Sequence, residues 1–421
     1  MIIVYGRVIT EMKLSDAVNS MQFSPIRRFN PIAAEVEEQG TKIYKLNIGQ
    51  PDIETPECFM DAIREYTNST IAYQQSQGDS ILVDAIIDYF KRDYNVEYTE
   101  DQIITTNGGS EALTMTFRTI LNENDEVIIP EPYYTNYNSF VKTAGGHINP
   151  VKTSSDDGYQ YAKAGMLETA LTAKTKAVCV INPNNPTGQV LADEEMEYIA
   201  DFAEEHDLWI ICDEVYREYV FDGLAPQTFA SLERVADRLI VIDSVSKRFS
   251  ACGARIGFIA CKNEEFMQGI MKLAQMRLCV STVDQVGAAA LFRLPKTYFD
   301  GVRQIYQNRR DAAYDEISKI PGVTCVKPKG AFYMTIDLPV DDAEEFLMFM
   351  LTEFRDNGET TMFAPAAGFY ATEGLGKKEI RIAYVLKEDD MRRACQLIRM
   401  GVTAYKKKLE LLNARIWRNQ L

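Results

Sequence analysis

Lys247 ends the run Ser244-Val-Ser-Lys247, and Arg255 follows eight residues later. Among side chains, only lysine puts a primary amine on a flexible stem, the group needed to close a carbon–nitrogen double bond with an aldehyde. An arginine at a set distance along the chain supplies permanent positive charge for an anion such as phosphate or carboxylate. Three other clusters join polar groups to turn-forming residues: Asn107-Gly-Gly-Ser110, Asn182-Pro-Asn-Asn-Pro-Thr-Gly188 and Asp213-Glu-Val-Tyr216. Gly109 and Ser110, at a helix start, offer backbone N–H groups to an anion. Each cluster taken singly has a structural explanation. Asn-Pro-x-Asn-Pro-Thr-Gly suits a tight turn, Ser110 suits a helix cap, Asp213 suits capping or pairing, and most lysines lie on the surface. Those explanations do not account for all four clusters, each following an apolar run.

The apolar runs are the elements that must position these groups. Strand candidates are Gln102–Thr106, Val127–Pro130, Ala177–Ile181, Leu208–Cys212, Leu239–Asp243 and Ile256–Ala260. Most are continuously apolar rather than alternating, as expected of strands covered on both faces. Helical patterns at Glu111–Leu121 and Asp193–Glu205 lie between them, so the spacing predicts βαβ units and a mostly parallel sheet. In such a sheet, ligands bind beyond the carboxyl ends of the strands, which places the four clusters at one shared site. From Val302 to Ile320 the chain is charged, periodic and free of Gly and Pro, which predicts one long helix stopped at Pro321 and Gly322. Beyond it, short strands (Gly330–Leu338, Ile380–Val385) mix with helices (Asp342–Asp356, Glu388–Leu412) in a smaller α+β domain. The expected division is residues 1–48, packing with the small domain; 49–300, the large α/β domain; and 301–421, the connecting helix and small domain.

Composition narrows the function classes. The 421 residues suffice for a large core and more than one domain. Lys and Arg number 45 against 61 Asp and Glu, a net charge of −16, which argues against nucleic acid as a main partner. An anionic substrate must then be drawn in by local cations. No apolar run is long enough to span a bilayer, and Met1 to Thr10 lack the pattern of a secretory signal, so a cytoplasmic home is expected. The eight cysteines are scattered, with no C-x-x-C pair, and are read as free thiols. Two histidines, His147 and His206, make a histidine-based metal site or catalytic triad improbable, and no metal is expected.

The combination resembles the class I and II aminotransferases, fold type I enzymes that use pyridoxal 5'-phosphate. The resemblance runs from about Lys45 to Tyr384 and rests on Ser-x-Ser-Lys-(x)7-Arg, Asn-Pro-x-Asn-Pro-Thr-Gly and Leu46-Asn-Ile-Gly-Gln-Pro-Asp52. It implies a seven-stranded-type sheet sandwiched by helices, with a smaller α+β domain formed by both termini. It also implies an aminotransferase that moves the α-amino group of an L-amino acid to a 2-oxo acid. In this reading Lys247 holds the cofactor as a Schiff base and then shuttles the substrate's Cα proton. Asp213 keeps the cofactor's ring nitrogen protonated. Asn185 and Tyr216 bond the phenolic oxygen, and Tyr134 stacks on the ring, although Tyr133 is an alternative register. Gly109, Ser110, Ser244 and Arg255 hold the phosphate. Arg381, in Glu379-Ile-Arg-Ile-Ala383, takes the substrate's α-carboxylate as a bidentate fork, with Gly49 and Asn185 beside it. Tyr73, five residues before Gly78, resembles the tyrosine that reaches the neighbouring subunit's phosphate, which implies a homodimer with shared active sites.

Two features leave the substrate open. Some dicarboxylate-specific members carry a lysine directly after the Gly-Gly, where this chain has Ser110. Arg248, Arg277 or Lys329 are the alternatives for a side-chain carboxylate, while Tyr133, Tyr134 and Tyr137 suit aromatic or apolar side chains equally. A β-lyase, decarboxylase or synthase shares Lys247, Asp213 and Arg255 and differs in which bond breaks. A non-catalytic ligand-sensing regulator is the remote alternative. It would need a DNA-binding segment, and only Arg27-Arg28 forms a basic cluster before the first motif.

Overall fold

Seven strands form the central sheet: β1 (Ile103–Thr106), β2 (Glu126–Glu131), β3 (His147–Lys152), β4 (Thr175–Ile181), β5 (Trp209–Asp213), β6 (Leu239–Ser244) and β7 (Gly257–Ala260). Their spatial order is β1-β7-β6-β5-β4-β2-β3. All run parallel except β7, which is antiparallel to both of its neighbours. The computed structural model describes the backbone of residues 2–4, 7–9, 13–19 and 21–419, and the side chains of residues 13–19 and 21–413.

Alternation along each strand divides the sheet's apolar residues between two cores. Ile104, Ile129, Cys179, Ile211 and Ile242 face the helices Gly108–Ile120 and Glu264–Arg277. Ile103, Ile128, Val180, Ile210 and Val241 face Ser80–Tyr94, Asp193–Glu205 and Thr282–Phe292. Both faces are therefore dry, and a run such as residues 239–242 is apolar at successive positions because an unpaired polar side chain on either side would be buried without water.

β3 has no counterpart among the sequence-predicted strands. It contains Pro150 and lies at the sheet edge, where a residue without an N–H donor costs no ladder hydrogen bond. The helix expected at Glu111–Leu121 spans Gly108–Ile120, so Ser110 lies inside the first turn and Asn107 is its cap position. The connecting helix runs Tyr298–Ile317 rather than from Val302. Gly301 lies within it in open space, and a single exposed glycine weakens a helix by only about 1 kcal/mol, too little to end it.

Past this helix, Tyr333–Asp337 pairs antiparallel with Glu379–Ala383, which places Thr335 opposite Arg381. The N-terminal strand Lys42–Lys45 pairs in parallel with Glu359–Met362. That pairing carries Asn47 and Gly49 toward the carboxyl ends of the central strands. The sequence expectation for residues 1–48 falls in part on positions outside the described ones. Among the described residues no helix is long and apolar enough to cross a membrane.

Candidate active site

A cavity of about 450 Å³ opens at the carboxyl ends of β1, β4, β5 and β6. Lys247 reaches it from Val245–Arg248, a single helical turn whose start is capped by Ser244, the hydroxyl accepting from the Ser246 N–H at 3.3 Å. The Lys247 Nζ donates to the Gly49 carbonyl at 2.7 Å, and the Tyr219 hydroxyl donates to the Lys247 carbonyl at 2.6 Å. Behind this turn lies a buried ionic cluster. Arg248 pairs with Asp243, and Arg217 bridges Asp243 at 3.2 Å and, through Nε, Glu214 at 2.6 Å. Breaking one partner of such a cluster leaves an uncompensated buried charge, so the turn carrying Lys247 is held firmly.

Asp213, the last residue of β5, also lines the cavity and is buried. Burial pushes its carboxyl up to about 7; the Tyr137 hydroxyl, donating at 2.9 Å, and the Val215 N–H pull the other way, while Asp243 and Glu214 add to the rise. No Lys or Arg forms an ion pair with it among the described residues. A buried carboxyl in that state has its charge stabilised by any cation the cavity admits.

Gly109, Ser110, Ser244 and Arg255 line the cavity as well. Gly108 turns the chain with φ of 74°, a left-handed conformation natural to glycine, and a side chain there would run into the Arg255 guanidinium. The helix that begins here directs its free N–H groups at the cavity, and Arg255 adds a fixed charge. Together they make an anion corner.

The lining also includes Asn185, Tyr134, Tyr216, Gly49 and Arg381. Arg381 is 2 % exposed and has no carboxylate partner among the described residues. Its guanidinium donates to the Asn47 carbonyl and to Asn185 Oδ1 at 3.4 Å, and its Nε has no partner. It lies 4.5 Å over the Tyr333 ring and 5.1 Å from that of Phe369. Burial lowers its affinity for its proton. Tyr134 lines the cavity; Tyr133 is turned away, its hydroxyl on Asn138 Oδ1 at 2.8 Å. Tyr73 lies outside this chain's own cavity and is 79 % exposed.

Eleven of the residues singled out from the sequence thus border one space, and Tyr73 does not. Tyr333 was not singled out. Its hydroxyl stands 3.0 Å from that of Tyr216, and it fills the space any side chain at Gly49 would need. Its sequence signal was limited to the Gly330 that precedes the strand. Tyr137 was considered only as a pocket aromatic, whereas its hydroxyl serves Asp213. None of the three side-chain carboxylate alternatives borders this chain's own cavity. Arg248 is consumed by Asp243 in the core, Arg277 donates to the Ser76 and Thr105 carbonyls, and Lys329 does not border the cavity. Arg27 borders it instead.

Comparison with known proteins matches this arrangement. The sequence pattern of the family described as aminotransferase class I and II covers residues 41–398. The chain is 32% identical over 401 residues to an aspartate aminotransferase of Bacillus subtilis, spanning 93% of this chain and 99% of that one. It is 32% identical to aromatic-amino-acid aminotransferase 2 of Thermococcus litoralis over 91% of this chain and 97% of that protein. Among solved structures, alanine aminotransferase from Pyrococcus furiosus superposes with a TM-score of 0.85 at 29% identity, covering 93% of this chain and all of that chain. A lysine and a lone buried carboxyl across one cavity, on a sheet of this order and with a sequence match of this extent, make the chain a member of the class I and II aminotransferase family and an aminotransferase.

Proposed function

We propose that the cavity holds pyridoxal 5'-phosphate and that the enzyme passes the α-amino group of an L-amino acid to a 2-oxo acid in two half-reactions. The observation that carries this reading is the pairing of an amine, Lys247 Nζ, with a buried carboxyl, Asp213, that lacks a cationic partner in the same cavity. The residues present fit the group. The anion corner of Gly109, Ser110, Ser244 and Arg255 suits a phosphate, Asp213 suits a ring nitrogen, and the unpartnered Arg381 Nε suits a substrate carboxylate. When bound, the cofactor supplies an aldehyde carbon to carry nitrogen and a cationic ring to take up electrons from Cα.

The chain's own residues do the rest. Lys247 Nζ anchors the cofactor, and once released it takes the proton from the substrate's Cα. Asp213 keeps the ring nitrogen protonated, and Tyr137 orients that carboxyl. Asn185 and Tyr216 donate to the phenolic oxygen, and Tyr134 covers the ring face. Arg381 clamps the α-carboxylate, with Gly49 beside it, so that the Cα–H bond faces the lysine. Tyr73 serves the neighbouring active site of a homodimer. Residues 1–48, 49–300 and 301–421 act as N-terminal segment, large domain and small domain. The eight cysteines, free in the structure, support a reducing, cytoplasmic setting.

The purified protein is expected to be yellow. Addition of a good amino donor should shift its visible absorption while a 2-oxo acid forms in equal amount. A panel of donors against 2-oxoglutarate and pyruvate tests this; ammonia and pyruvate from a single amino acid would instead identify a lyase.

Asp213 also gives the cofactor-free chain a pH-dependent stability. Its carboxyl titrates at about 7 when folded against an ordinary value of 3.8. Between those values the folded chain holds a proton that the unfolded chain has released. The stabilisation is complete below pH 3.8 and is lost as pH rises to about 7. The loss is on the order of 4 kcal/mol for this one group. Urea unfolding at pH 5 and pH 8 should therefore show a smaller decline for cofactor-free Asp213→Asn than for the cofactor-free wild type. Equal declines would contradict the assignment.

A further inference from the structure

Four cations border the cavity, Arg27, Lys247, Arg255 and Arg381, against one carboxyl, Asp213. On the proposed function, three have a partner: Lys247 the aldehyde, Arg255 the phosphate, Arg381 the α-carboxylate. Arg27 is left over. Its neighbour Arg28 pairs with Glu344, whereas no acidic partner of Arg27 occurs among the described residues, in a chain of net charge −16. An exposed guanidinium that borders a cavity and is spared pairing in so acidic a protein has the chemistry of an anion receptor.

Its placement is fixed rather than incidental. Arg27 sits in a turn closed by its own backbone, its N–H on the Ser24 carbonyl at 3.2 Å and its carbonyl accepting from Asn30 at 3.0 Å. Asn47, fully buried, ties that turn to the α-carboxylate clamp. Its side-chain amide donates to the Ile26 carbonyl at 3.0 Å, while its own carbonyl accepts from Arg381. Tyr134 lines the same cavity as both arginines: burial pushes its phenol up, Tyr333 adds to the rise, and the Arg381 and Arg27 charges both pull it down. The two guanidinium groups thus act on the same space.

We infer that Arg27 receives a second carboxylate, on the substrate's side chain, so that the preferred substrates are dicarboxylic amino and oxo acids. This inference rests on the aminotransferase reading of the cavity. It also accounts for Ser110, which needs no cationic replacement when the charge comes from the N-terminal turn. Aromatic and aliphatic donors would leave Arg27 facing an apolar group, with its hydration disturbed and no partner gained.

The cofactor-loaded enzyme and its Arg27→Met and Arg27→Lys variants are assayed with glutamate and with alanine, and titrated with succinate and with propionate while the visible absorption is followed. In Arg27→Met the ratio of kcat/KM for glutamate to that for alanine is expected to fall about 30-fold, chiefly through KM, with succinate binding weakened to a similar degree. Arg27→Lys recovers part of both. Equal loss on glutamate and alanine, or succinate binding unchanged in Arg27→Met, overturns the inference. If no donor yields a 2-oxo acid even with the wild type, the aminotransferase reading fails, and the succinate titration still decides the role of Arg27.

Discussion

Replacing Lys247 with alanine is expected to lower kcat by about 10⁴-fold or more, because on the proposed function one amine both anchors the cofactor and moves the Cα proton. The fold should survive. The contacts that shape the turn belong to the backbone and to other side chains: Tyr219 bonds the Lys247 carbonyl, Ser244 caps the turn, and Arg248 anchors it to Asp243. Two measurements separate lost chemistry from lost structure. Borohydride treatment should add the cofactor's mass to the wild type and not to Lys247→Ala, and far-ultraviolet circular dichroism should coincide for both. A variant that still takes up the reduced label would assign the covalent link to another amine.

Asp213→Ala is expected to slow turnover by roughly 10³-fold, on the proposed function the cost of withdrawing a buried counter-charge from the cofactor's cationic ring. Part of the cofactor should stay bound, since Gly109, Ser110, Ser244 and Arg255 line the same cavity without bonding to Asp213. The defect should therefore lie mainly in kcat rather than in cofactor affinity. Asp213→Glu, which keeps the charge and shifts its position, should recover part of the rate. Wild-type turnover in Asp213→Ala would remove the carboxyl from the mechanism.

The parts of the site that were legible in the sequence are those that the fold forces onto strand ends. Asp213, Ser244 and Lys247 follow uninterrupted apolar runs, and such runs announce a strand buried on both faces. The strand His147–Lys152 was hidden because an edge position tolerates Pro150 and half-exposed polar residues, which read as loop. Tyr333 and Tyr137 were hidden for a different reason. Aromatic residues are ordinary core material, and only three-dimensional placement shows one hydroxyl against Tyr216 and the other against Asp213. Arg27 read as half of a small basic cluster, and its divergence from Arg28 depends on which side of a turn each guanidinium takes.

β6 ends at Ser244 directly opposite Gly257, where β7 starts back in the other direction. The excursion between them carries both Lys247 and Arg255, so one short out-and-back path delivers the amine and the guanidinium that border the cavity. Its length is therefore a ruler. Adding or removing a residue there would slide one group past the other, and no adjustment elsewhere in the molecule would bring them back into step. Engineers seeking new donors for this catalyst have room to vary the N-terminal turn, but they inherit that ruler unchanged.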